Sequence, residues 1–158
     1  MKILVCINIS FIAAIMYYSF LKKFHPFETI FLWMILIFSY TSLMAMIVDN
    51  VEYWKLSERF FHHTAFKLVK LVGVPYLIMF FVNRMFLENV LFKKIIIIAI
   101  GICSLLVFEW TLSWSGIIEH TTWNYIYSAL MWTGLIIFTI GSHHLFRRVL
   151  IKEGVVSS

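Results

Sequence analysis

Residues 95–145 read IIIIAIGICSLLVFEWTLSWSGIIEHTTWNYIYSALMWTGLIIFTIGSHHL, two apolar spans around a short polar turn. The first opens just after Lys93 and Lys94 and runs to Trp114. That is about twenty residues, enough for a helix rising 1.5 Å per residue to cross a hydrocarbon core of about 30 Å. The second opens at Trp123 and closes at His143, His144, Arg147 and Arg148, so each span has one basic end and both meet at an uncharged-to-acidic turn. Inside a bilayer no water satisfies the backbone, so such runs must pair their own N–H and C=O groups as helices. The pattern predicts a transmembrane helical hairpin.

Glu109 lies inside the first of these spans. It falls about fourteen residues, or roughly 21 Å, beyond the lysines, which is outside the midplane but below the headgroups. Ionisable groups at that depth are rare and costly. Such a carboxyl is expected to be neutralised or hydrogen-bonded to a neighbouring helix, with Ser, Thr, Asn or His side chains as partners. On the structural reading it holds the hairpin together; on the functional one it couples a proton or binds a ligand.

The whole chain has the same character. Of its 158 residues 62% are hydrophobic, where a soluble domain has roughly 45–50%. Mean hydropathy is +0.92. A soluble fold could not cover that much apolar surface. The net charge of +5 does not point to nucleic acid, because the 13 Lys and Arg residues are scattered at span ends instead of gathered on one face. They read as topology signals. Cys6 and Cys103 lie in apolar runs without a CxxC partner, which supports neither a disulfide framework nor a zinc site.

Three further spans precede the hairpin. Residues 3–21 are read as a retained first helix, since the run is longer than a signal-peptide core and ends in Tyr17, Tyr18, Phe20 and two lysines instead of a small-residue cleavage site. Lys22, Lys23, His25 and Pro26 form a turn, proline being tolerated at a helix start. Residues 27–48 make the second span, in which Ser39, Tyr40, Thr41 and Ser42 are expected to bond a neighbouring helix or a carbonyl one turn back. The third, 68–87, contains Lys70, Gly73, Pro75, Asn83 and Arg84, and Pro75 should kink it or mark its first turn. The last two are 95–114 and 123–145, leaving a short basic tail over 146–158.

Between the second and third spans, residues 49–67 are the one sizeable polar segment. As a helix they would align Val51, Trp54, Phe61, Ala65 and Leu68, which suits a helix lying in the interface. Glu58 interrupts that stripe; with His62 one turn on it reads as a hydrogen-bonded pair, since a zinc site needs three or four ligands. The predicted fold is therefore all-α: a single polytopic membrane domain of five transmembrane helices with an interfacial helix between the second and third. Gly101, Ser104, Thr111, Gly134 and Gly141 supply small surfaces on the last two spans, where another helix can approach closely.

With five spans the termini lie on opposite sides. A cytoplasmic carboxyl terminus puts Lys22, Lys23, Arg84, Lys93, Lys94, Arg147, Arg148 and Lys152 inside, against Lys2, Lys55, Arg59, Lys67 and Lys70 outside. The positive-inside rule favours this arrangement. Asp49, Glu52, Glu109 and Glu119 then gather towards the outside. The chain contains no glycine-rich phosphate loop, GxSxG elbow or HExxH pair.

In the pattern Glu109-Trp110, Gly116, Trp123-Asn124 and Ser128, with a looser match over Thr29 to Leu32, the chain resembles a family of small five-span membrane proteins of spore-forming Gram-positive bacteria. That family has no established activity. The resemblance implies a fold and a bacterial cell-membrane location and supplies no catalytic residue or cofactor.

Three functions remain open at this point. The leading one is a non-enzymatic integral membrane protein, in contact with the lipid bilayer, that packs its helices against a second copy or a membrane partner. Another is a small carrier or sensor with an outward-facing polar cup formed by Asp49, Glu109 and His120. The third is an intramembrane enzyme using Glu109 and His120 as acid and base, which needs the two within hydrogen-bond reach of the reacting group.

Overall fold

A computed structural model describes residues 2–19, 24–51, 53–57, 60–121 and 123–155. Six helices and one short ribbon follow in the order α1 Lys2–Ser19, α2 Pro26–Ala45, β1 Trp54–Leu56, α3 Phe60–Leu68, α4 Val74–Leu87, α5 Leu91–Trp114, β2 Ile118–His120 and α6 Tyr125–Lys152. α2 continues into a π-helical turn over Met46–Asn50, and a second such turn, Val69–Gly73, joins α3 to α4. Four helical stretches are long and apolar enough to cross a membrane: Pro26–Val48, Phe60–Leu87, Leu91–Trp114 and Tyr125–Lys152. α1 is apolar but shorter, and residues 20–23 that follow it lie outside the described set, Lys22 and Lys23 among them.

Local chemistry sets these boundaries. α2 begins with a capping box in which the His25 backbone N–H donates to Glu28 Oε2 at 2.7 Å and the Phe27 N–H donates to His25 Nδ1 at 3.4 Å, with Pro26 at the first helical position. α5 ends at Gly116, whose φ of +73° only glycine adopts without strain. There the Ile117 N–H reaches Leu112 O at 3.1 Å and the Gly116 N–H reaches Ser113 O at 2.9 Å, satisfying carbonyls the helix end would orphan. The same arrangement at Gly154, φ +72°, stops α6.

Pro75 lies in the first turn of α4, as expected, but α4 does not begin a separate span there. It sits inside one helical run from Phe60 to Leu87, just after the π turn, where the Val74 N–H bonds back to Val69 O. A proline offers no N–H one turn later, and the looser turn re-pairs the backbone around that gap. α1 crosses at this point: a Cβ added to Gly73 would lie 2.6 Å from Ser10 Oγ, so only glycine fits.

Two expectations are corrected. Residues 49–67 do not make an interfacial helix. Trp54–Leu56 is instead a strand paired antiparallel with Ile118–His120, in the register Trp54 to His120, Lys55 to Glu119 and Leu56 to Ile118, and among the described residues the long third helix runs from Phe60. The supposed stripe splits accordingly, Trp54 being 1% exposed and Phe61 75%. Backbone pairing with a second segment outweighs the helical periodicity here, and it adds a two-stranded element to the predicted all-α fold. Glu52, Glu58 and Arg59 lie outside the described residues. Likewise the tail is not a tail from 146: α6 runs on to Lys152, because Phe146 stacks on Phe31 of α2 at 4.0 Å and 7° and Gly154 supplies the stop signal further on.

The core lies where α1, α2, α4, α5 and α6 converge, around Leu36, Tyr40, Ile78, Met79, Leu105, Phe108 and Trp132. The outward faces are apolar too, with Met34, Phe38, Ile100, Val107, Ile137 and Leu145 exposed. Contiguous exposed apolar surface of this kind belongs against lipid or another protein.

Candidate functional site

Two buried carboxyls from other helices meet α6, one towards its start and one towards its far end. Near its start, Glu109 projects from α5 and is 1% exposed. Ser128 Oγ stands 2.5 Å from Glu109 Oε1, and Trp132 Nε1 donates to Oε2 at 2.9 Å. Trp123 Nε1 in turn donates to Ser128 Oγ at 2.6 Å. Ser128 and Trp132 are four apart on α6, so they present one face to α5. Asn124 caps that helix by accepting the Ile126 N–H at 3.3 Å, which fixes its first turn beside Glu109. The arrangement ties the two arms of the hairpin.

Of the expected polar cup, the side chains of Asp49 and His120 lie outside the described residues. Their backbones belong to the π turn after α2 and to β2. Glu109 itself does not open outward: both its oxygens are engaged by donors on α6, and the Tyr40 ring packs against Trp132 at 5.6 Å. The ribbon covers this end, with Trp123 against Tyr53 at 5.4 Å and Trp54 at 6.0 Å.

The small residues divide. Gly101 is buried, and a Cβ there would meet the Phe81 side chain at 3.0 Å, an approach between α4 and α5. Ser104 Oγ and Thr111 Oγ1 return to Ile100 O and Phe108 O of their own helix. Gly134 and Gly141 face outward with nothing within 4 Å of an added Cβ.

Sequence reasoning passed over the other carboxyl. Glu28, in the first turn of α2, is 1% exposed, and near the other end of α6 His143 is 1% exposed. His143 Nε2 stands 3.3 Å from Glu28 Oε1, and Arg147 Nη1 stands 3.9 Å from the same oxygen. Phe24 and Phe86 wall the imidazole, with ring centroids at 4.6 and 4.5 Å. The available signal was His25-Pro26-Phe27-Glu28, a helix-start pattern with an acid at the third helical position.

Among the described residues no three His, Cys, Asp or Glu side chains gather as a metal site. A groove of about 540 Å³ is lined mainly by apolar side chains, among them Ile9, Leu77, Ile96 and Val107, with Ser104 and Thr111 also lining it. It suits an apolar chain or helix better than a charged substrate. No family model, curated protein or solved structure matches this chain. The fold and sites define a class, a helical protein with four stretches of membrane-crossing length.

Proposed function

We propose that the protein is a non-enzymatic integral membrane protein that acts by packing its helices against a second copy of itself or a membrane partner. In this reading α1 is a fifth span, the amino terminus lies outside, the carboxyl terminus is cytoplasmic and the chain resides in the cell membrane. The observation that carries it is the open, small-residue surface of α6. Gly134 stands clear of other atoms, beside a groove of about 370 Å³ that Ser39, Leu43, Met131, Leu135 and Phe138 also line. In lipid, where tails are as apolar as leucine, helices associate through such close approaches instead of through hydrophobicity. Glu109 serves this reading as a fastener that keeps the hairpin rigid.

The test is crosslinking of Gly134→Cys in native membranes. A disulfide-linked dimer or a discrete heavier adduct is expected; a strictly monomeric species in both lipid and detergent overturns the proposal. Orientation is checked separately. A cysteine at Thr121 should react with an impermeant reagent from outside, and a reporter fused after Lys152 should score cytoplasmic. The opposite result at both positions reverses the topology.

A further inference from the structure

The Glu28–His143 pair carries an inference that reaches beyond helix packing. Glu28 is fixed on one side, its Oε2 taking the His25 N–H at 2.7 Å. Its Oε1 is buried and receives no aligned hydrogen bond, although His143 Nε2 is only 3.3 Å away and Arg147 Nη1 3.9 Å. Both ring nitrogens of His143 are likewise buried without a hydrogen-bond partner. An imidazole carries at least one N–H in every protonation state, and a buried carboxylate oxygen needs a donor. Acceptor and imidazole thus face each other at bonding distance with the bond unmade.

We propose that Glu28 and His143, with Arg147 at the rim, form a proton-binding site in which carboxylate and imidazole take up one proton as a unit and so fasten the start of α2 to the far end of α6. The proton comes from water, and the only bond made is N–H or O–H. Without it the cluster holds one negative carboxylate, a neutral imidazole and the Arg147 cation, and sums to zero. With it the sum is +1, and a charge-assisted hydrogen bond from Nε2 to Oε1 replaces the misaligned contact.

The surroundings suit this role from every side. On α6, His144 and Arg147 are the titratable and charged neighbours of His143, and Glu28 faces it from α2. From α2, His25 caps the helix through Glu28 itself. Tyr17 reaches in from α1 and shares a hydrogen bond of 3.0 Å with Thr29, the residue after Glu28. α4 contributes Phe86, an uncharged ring that excludes water. The Arg147 side chain is 29% exposed and lies one turn from His143, so the path from solvent is short, about 5 Å along the helix. Such a pair would report pH at one membrane face through the change in its own charge.

The test is a pH titration of the full chain in lipid nanodiscs with nitrogen-labelled histidine rings, the His143 signals being identified by their loss in His143→Gln. Proton binding at His143 should be visible between about pH 4 and 9. Glu28→Gln should weaken it by about tenfold or more, moving the midpoint down by at least one pH unit, and Arg147→Gln should move it up. A nitroxide pair at Phe27→Cys and Arg148→Cys should draw closer on protonation. If Glu28→Gln does not fold, the variant Arg147→Gln, at the partly exposed rim, carries the test. A His143 ring that is silent across this range, or a midpoint that neither variant moves, overturns the proposal.

Discussion

The two carboxyls that α6 holds out of water are satisfied by opposite means. At the ribbon end, Glu109 meets neutral donors, a serine hydroxyl and an indole N–H, each at hydrogen-bonding distance. At the basic end, Glu28 meets an imidazole and a guanidinium, close enough to feel their charge but without an aligned bond from either. The first arrangement needs geometry and no charge; the second needs charge and leaves geometry unfinished. A finished site fastens, whereas an unfinished one can respond, because a proton still changes its bonding.

Mutations separate the two ends. The largest effect is expected from Trp132→Ala, which empties a fully buried indole site and strips Glu109 of a donor; it should cost about 3–5 kcal/mol in detergent-induced unfolding. Wild-type resistance in this variant would remove Glu109 as the fastener of the hairpin. Glu28→Gln should come next, at about 1–3 kcal/mol, since it leaves a buried imidazole and Arg147 without their counter-charge. Its cost should shrink as the pH is raised, because His143 then carries no charge to strand. The smallest effect belongs to Glu109→Gln, below about 1 kcal/mol, because the amide can donate to Ser128 and accept from Trp132 in the same place. Glutamine tolerated at position 28 and not at 109 would invert the comparison. A Glu109→Gln variant that folds normally but loses a pH-dependent or ligand-dependent phenotype would make Glu109 the functional residue instead.

Much of this was legible in the residues. The hairpin, the long apolar helices and the burial of Glu109 follow from hydrophobic run length and from the cost of a carboxyl in hydrocarbon. Glu28 was hidden by the same reasoning. It lies at the start of the span read over 27–48, with no sequence signal to pair it with 143–148, and those basic residues read as the edge of a span when they belong to a helix that runs on to Lys152. Gly154 was the overlooked stop signal. The ribbon could not be read at all, since three-residue strands show no periodicity and their partner lies far away in sequence.

That ribbon also orders events in time. Leu56 and Ile118 are partners across about sixty residues, and closing so long a loop is an entropic cost met only after the intervening chain has been made and placed. During synthesis β1 emerges first, and its partner in the ribbon is not yet made. β2 arrives only after α3, α4 and α5 and before α6, so the pairing of Lys55 with Glu119 cannot form until those three helices have been made.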